Sequence, residues 1–210
     1  MGVREGLLRE KILLVNGGSQ GVGAAIARAA VREGAVVAVT GRRTEPGEAL
    51  VAELAAAGGT AVSVRADPAD AGQAGAAVAG MVARKAPGTV LHTITSSAHG
   101  GQPFLAPYVA ARAGLAGLTG NAAHAHRWDR IRINGLNIGW TATEGEDATQ
   151  RAFHGAGDDW REQAAARLPM GRLGRPDEIA GFVVFLLSGR SGVVTGSVID
   201  WDQNVLGALD

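Results

Sequence analysis

The stretch Lys11–Ala27, KILLVNGGSQGVGAAIA, limits what this chain can fold into more than any other. Its apolar run Lys11–Val15 is short and bounded by turn residues, as a strand buried on both faces of a parallel sheet should be. A glycine-rich turn follows at once, and an alanine-rich helix begins near Gly21. Gly17, Gly21 and Gly23 stand where backbone must bend sharply or approach another group closely. The helix start offers unpaired N–H groups and a positive dipole end, for which a pyrophosphate is the natural occupant. An ordinary tight strand-to-helix turn is the alternative.

The next segments repeat the pattern. Ala24–Glu33 reads as a helix ended by Gly34, Ala35–Thr40 (AVVAVT) as a second strand, Glu45–Ala57 as a second helix closed by Gly58-Gly59, and Thr60–Arg65 (TAVSVR) as a third strand. Strand, helix, strand, helix, strand implies a parallel sheet with right-handed crossovers. A dinucleotide site that prefers NAD places an acidic residue at the end of the second strand. This chain has Gly41-Arg42-Arg43 there. Two guanidiniums can engage a ribose 2′-phosphate bidentately, which favours NADP(H) over NAD(H); a solvated basic loop is the other reading.

Length and charge bound the function. With 210 residues, 46% of them apolar, the chain suits one domain with one core. Twenty basic residues balance twenty acidic ones, which argues against nucleic acid as a partner. There is no cysteine, so disulfides and thiolate chemistry are excluded. No run reaches the roughly eighteen apolar residues of a membrane span, and the expectation is a cytoplasmic protein. Among the five histidines only His124 and His126 are closely spaced, and two apart on a helix they diverge, so no metal site is expected.

Asn16-Gly17-Gly18-Ser19-Gln20-Gly21-Val22-Gly23 resembles the cofactor loop of the short-chain dehydrogenase/reductase family, with Asn16 in place of that loop's threonine. The resemblance implies cofactor contacts from Gly17, Ser19, Gln20, Gly21, Val22 and Gly23, and puts Asp67 where the family's acidic residue meets adenine. An Asx turn before Pro68 would use Asp67 equally well. Tyr108-Val109-Ala110-Ala111-Arg112 resembles the family's Tyr-x-x-x-Lys motif, with Arg112 for the lysine. On a helix, positions i and i+4 share a face, so the cation can approach both the phenol and the cofactor ribose. A phenol of pKa about 10 is a poor acid–base catalyst at neutral pH until a positive charge favours its ionised form. Tyr108 would then exchange the proton and a hydroxyl would polarise the substrate oxygen. At the family's spacing that hydroxyl falls on Thr95, with Ser96 one position later; Ser96 is taken as the candidate. Arginine cannot replace lysine's compact ammonium in a proton relay, so activity should fall.

After a fifth strand, Ile131–Ile138, the run Gly139-Trp140-Thr141-Ala142-Thr143 resembles the family's nicotinamide loop, with Ile138 replacing proline. Backbone at Ile138 and the hydroxyls of Thr141 and Thr143 would hold carboxamide and pyrophosphate, or else cap the next helix. Glu144–Leu168 suits a lid, and Trp140, Phe153 and Trp160 either face substrate or pack. Asp177 reads as the N-cap of a helix over Glu178–Leu187, and Gly192–Asp200 as the final strand. The tail through Trp201 resembles the part that family members use in subunit contacts, implying a homo-oligomer, dimer or tetramer.

One block of the family pattern is missing. Between the third strand and Thr89 there is a single helical stretch, Ala71–Lys85, where the family has a helix, a strand and a second helix carrying a catalytic asparagine. Used as a crossover, Ala71–Lys85 would set Thr89–Thr95 beside the first strand. The alternative, a gap in the sheet, would leave unpaired backbone groups. The expected architecture is α/β, a Rossmann-like doubly wound parallel sheet of about six strands in three layers, forming one dinucleotide-binding domain over residues 1–210. The expected function is hydride transfer between NADP(H) and a small-molecule carbonyl/alcohol pair. A catalytically impaired protein that only binds dinucleotide or oligomerises is the alternative.

Overall fold

Short segments rich in valine, isoleucine and leucine become the strands of the structure, a computed structural model that describes residues 6–67, 78–100 and 103–206. Two three-stranded sheets form. In the first, β1 (Ile12–Asn16), β2 (Val36–Gly41) and β3 (Thr60–Arg65) run parallel in that order, with Ile12 opposite Val36 and Val36 opposite Thr60. In the second, the order is β4 (Gly88–Thr95), β5 (Ile131–Ile138), β6 (Val198–Trp201), and β5 and β6 are parallel with Gly135 opposite Val198. The helices are α1 (Gly21–Arg32), α2 (Thr44–Ala56), α3 (helical residues 78–83), α4 (Ala106–His126), α5 (Glu144–His154), α6 (Trp160–Ala165) and α7 (Pro176–Leu187). The first part of the stretch expected to be helical over Ala71–Lys85 lies outside the described residues.

The chain divides into two compact units. One comprises Met1–Val90, His126–Arg132 and Pro176–Val194, the other Leu91–Ala125, Ile133–Arg175 and Thr195–Asp210. In the first, Val37 and Val39 are fully buried, each contributing about 1.5–3 kcal/mol by burial. Against that core pack α1, through Ala24, Ile26, Ala27 and Ala30, and α2, through Leu50 and Leu54. Alanine lets α1 approach closely, and α7 packs on it with Ile179, Ala180, Val183 and Val184 buried. Arg132 ties the ends of this unit together. Its guanidinium donates to Thr89 Oγ1 at 3.1 Å and to the carbonyls of Leu186, Ser188 and Val194 at 3.1–3.2 Å.

Two expectations are corrected. Strands of this sheet are not buried on both faces: Ile12 is 74% exposed, and Leu14, Val36, Val62 and Val64 share its exposure. Right-handed crossovers that step in one direction, β1 to β2 to β3, put both α1 and α2 on one face, and the pleat turns alternate side chains away from them. Nor does Thr89–Thr95 join β1. The hydrogen-bonded neighbour of β1 is β2, and that of β4 is β5. Pairing with β5 fixes β4, because β5 is the buried strand of its sheet, with Ile131, Ile133, Asn134, Leu136 and Asn137 at most 1% exposed. Gly135 allows close packing there, since a Cβ would stand 2.9 Å from Ile94 Cδ1 and 3.2 Å from Val198 Cγ2.

Smaller boundaries move too. The last strand is only Val198–Trp201, because Gly192 and Gly196 adopt φ of 65° and 76°, outside strand geometry. Asp177 is not an N-cap. The helix starts at Pro176, whose missing N–H costs nothing at the first helical position, so Asp177 falls in the first turn beside the positive dipole end.

In the second unit, His92 on β4 bonds through Nδ1 to Thr119 Oγ1 at 2.9 Å, and Thr119 is fully buried on α4. Burial holds the His92 imidazole below its ordinary value of 6.5. A depressed folded value means the unfolded chain takes up the proton first, so the neutral ring's contribution persists above the ordinary value and is lost as pH falls below it. Thermal unfolding followed by circular dichroism from pH 8 to 5 should show Tm falling below about pH 6.5, and less so in His92→Gln.

Candidate functional site

The turn after β1 is shaped by close approach. Gly17 adopts φ 70° and Gly21 φ 55°, left-handed values that favour glycine. A Cβ on Gly23 would run into the Gly17 carbonyl oxygen, and one on Gly18 would lie 2.8 Å from the Val15 oxygen. By contrast, a Cβ on Gly17 would meet nothing within 4 Å, so the outer side of the turn is open. Asn16 and Thr40 secure it: Thr40 Oγ1 donates to Asn16 Oδ1 at 2.8 Å, and Gly18 N–H donates to the Thr40 carbonyl at 3.0 Å. Gln20 precedes α1 without capping it by its side chain, and no acidic residue occupies the first turn. This is a cradle that suits an anionic pyrophosphate, as the sequence implies for Gly17, Ser19, Gln20, Gly21, Val22 and Gly23.

The same unit gathers the basic residues. Arg43 donates to Gln20 Oε1 at 2.8 Å, which links the end of β2 to the glycine turn. Arg42, Arg65, Ala66 and Asp67 line a depression of about 550 Å³. Arg65, not anticipated from sequence, donates from Nε to the Arg42 carbonyl at 3.3 Å, and stands opposite Gly41 in the β2–β3 register. Only strand pairing brings it there.

In the second unit, Thr95 ends β4, and its hydroxyl accepts from Ser97 N–H at 3.3 Å, capping the 3-10 turn Ser96–His99. Ser96 opens that turn with no hydrogen-bond partner for its hydroxyl among the described residues. Tyr108 lies in the first turn of α4 and is 42% exposed. The Arg112 guanidinium is one helical turn on, as expected, but it sits over the Tyr108 ring, 5.0 Å from the centroid. It is stacked on the ring face. After β5, Thr143 Oγ1 accepts from Glu146 N–H at 3.0 Å and so caps α5, while Thr141 Oγ1 donates to the Gly139 carbonyl at 2.9 Å. Both hydroxyls therefore have local structural work beside Ile138. Trp160 is buried with Ala164 and Leu173, and stacks on Trp140 at 6.2 Å; the two indoles donate to Asp147 and Glu146. These tryptophans pack α5 to α6, whereas Phe153 is exposed.

Residues 11–87 match a family model described as short chain dehydrogenase, and residues 75–203 one described as Enoyl-(Acyl carrier protein) reductase. An uncharacterised oxidoreductase of Methylorubrum extorquens is 30% identical over 243 aligned positions, covering 92% of this chain and 96% of that protein. L-rhamnose 1-dehydrogenase (NAD(P)(+)) of Azotobacter vinelandii is 29% identical over 249 positions, covering 91% and 94%. Both alignments are longer than the chain's 210 residues, so these relatives carry residues that this chain lacks. Among solved structures, L-sorbose reductase from Gluconobacter frateurii, complexed with NADPH and L-sorbose, superposes with a TM-score of 0.81 at 22% identity, covering 96% of this chain and 98% of that one.

The tight packing of the turn is directly testable. Gly23→Ala should cost about 1–3 kcal/mol in urea unfolding, as overpacking against fixed backbone does.

Proposed function

We propose, from the premise that this chain belongs to the short-chain dehydrogenase/reductase family, that it transfers a hydride between NADP(H) and a small-molecule carbonyl/alcohol pair. The observation that carries this reading is the glycine turn, open outside and packed to backbone contact inside, with Arg42 and Arg43 at the end of the adjacent strand. Gly17, Ser19, Gln20, Gly21, Val22 and Gly23 hold the pyrophosphate, and Asp67 the adenine. Arg42 and Arg43 engage the 2′-phosphate, with Arg65 bracing Arg42 through its carbonyl. Ile138, Thr141 and Thr143 hold the nicotinamide end. The bound cofactor supplies or accepts the hydride. Tyr108 exchanges the proton at the substrate oxygen, Ser96 donates a hydrogen bond to that oxygen, and Arg112 is the local cation. On this reading residues 1–210 work as one dinucleotide-binding domain of a cytoplasmic homo-oligomer, with neither nucleic acid nor membrane as partner. Among the described residues no helix is long and apolar enough to cross a membrane.

A second reading has its own observation. Arg112 lies over the ring of Tyr108, an arrangement that does less for an ionised phenol than an ammonium beside its oxygen would. A chain that binds dinucleotide with impaired chemistry would look the same. Arg112→Lys separates the two: a rise in carbonyl reduction supports the enzyme, and no NADPH oxidation by either form across a broad panel of aldehydes and ketones removes it.

The cofactor preference has a separate measurement. Replacing Arg42 and Arg43 by alanine should weaken NADPH by roughly tenfold to a hundredfold, the loss of one or two charged hydrogen bonds, and leave NADH unchanged in fluorescence titrations. Equal loss for both nucleotides would contradict the 2′-phosphate assignment.

A further inference from the structure

The C-terminal ends of β5 and β6 carry a polar cluster that the reading above leaves unused. Asn137 and Asp200 are the penultimate residues of their strands and stand opposite each other in register. The Asn137 amide donates to Asp200 Oδ1 at 2.7 Å. His99 Nε2 lies 2.8 Å from the same oxygen and 2.9 Å from the amide nitrogen. Three such contacts cannot all be hydrogen bonds at once. An unprotonated Nε2 would turn its lone pair on a carboxylate oxygen, so Nε2 carries the proton and donates to Asp200. That tautomer leaves Nδ1 as the basic nitrogen, with no partner among the described residues.

Two further features fit a group held for use. Asn137 is fully buried, and its Oδ1 has no hydrogen-bond partner among the described residues. Turning the amide over would bring that oxygen to within 2.7 Å of the carboxylate, so the amide stays as it is and Asp200 stays clamped, at the cost of one unsatisfied acceptor. The bonds from Asn137 and then His99 hold the Asp200 carboxyl below its ordinary range, which keeps it an ionised acceptor. His99 itself closes the 3-10 turn Ser96–His99, whose three-residue period sets positions i and i+3 one above the other. It thus shares a face with Ser96, and 34% of its side chain is exposed.

We propose that His99 is a second proton-transfer residue for the carbonyl/alcohol reaction, with Asp200 and Asn137 as its positioning residues; the inference rests on the reading of the preceding subsection. An imidazole fixed at one nitrogen by a carboxylate presents the other for proton exchange. In reduction, a bound reduced nicotinamide would supply the hydride to the carbonyl carbon. The Nδ1 proton of the doubly protonated ring passes to the carbonyl oxygen, giving the alcohol, oxidised cofactor and a neutral ring that regains its proton from solvent. In oxidation, Nδ1 takes the hydroxyl proton as the hydride leaves. His99 gives the reaction a route that does not depend on the Tyr108–Arg112 pair.

The test uses the full chain with NADPH and a panel of aldehydes and ketones, comparing wild type, Tyr108→Phe and Tyr108→Phe/His99→Gly, with circular dichroism as the check on folding. Tyr108→Phe should keep measurable turnover. The double variant should lose about tenfold or more of that remainder, and added imidazole should restore it, which a purely structural role for His99 would not allow. Residual turnover that is unchanged by His99→Gly, lost already in Tyr108→Phe, or not rescued in a folded double variant overturns this inference alone. Absence of turnover in the wild type overturns both it and the reading it rests on. Independently of activity, long-range proton–nitrogen spectra should show His99 protonated at Nε2 in the wild type and a mixture of tautomers in Asp200→Asn; an Nδ1-protonated ring in the wild type sinks the proposal.

Discussion

Everything around the glycine turn of this protein depends on how closely the first turn of α1 can approach the end of β1. Gly23 lies against the Gly17 carbonyl and Gly18 against Val15, so the helix start is pressed onto the strand end with no side chain between them. The Thr40–Asn16 hydrogen bond and the Gly18–Thr40 backbone bond extend that constraint to β2. Because the end of β2 is fixed, Arg43 can reach Gln20, and Arg42 stands beside Arg65. These close approaches between small residues, with the bonds to β2, thereby position both the glycine turn and the arginines beside it.

The first sheet has one covered face and one exposed face. With β2 as the hydrogen-bonded neighbour of β1, and α1 and α2 on one face, the other face exposes Ile12, Leu14, Val36, Val62 and Val64. Among the described residues no further strand pairs with β1. β4 is held by β5, and side-chain contacts such as His92 with Thr119 and Ile94 beside Gly135 fit β4 to that neighbourhood.

Several groups that the family pattern marks for chemistry also have local structural work. Thr95 and Thr143 cap helical turns, Thr141 closes a tight loop, and Arg112 stacks on the Tyr108 ring. A cap and a ligand contact are compatible uses of one hydroxyl, since oxygen has two lone pairs. The aromatic residues are less ambiguous in outcome: Trp140 and Trp160 are packing and hydrogen-bonding partners between α5 and α6.

The sequence by itself located most of the strands and helices, since their signals are periodicity and turn chemistry carried within a few residues; Thr60–Arg65 and Ile131–Ile138 lie where their apolar runs put them. It also determined the glycine turn, the Arg42-Arg43 pair and the i, i+4 relation of Tyr108 and Arg112, all local. What only the tertiary structure decided involves residues far apart in the chain. The neighbour of β4, the exposed face of the first sheet, the placement of Arg65 beside Arg42, and the meeting of His99 with Asp200 across 101 positions all follow from strand pairing. No local pattern encodes such pairings, because they are chosen by the free energy of the whole packed core.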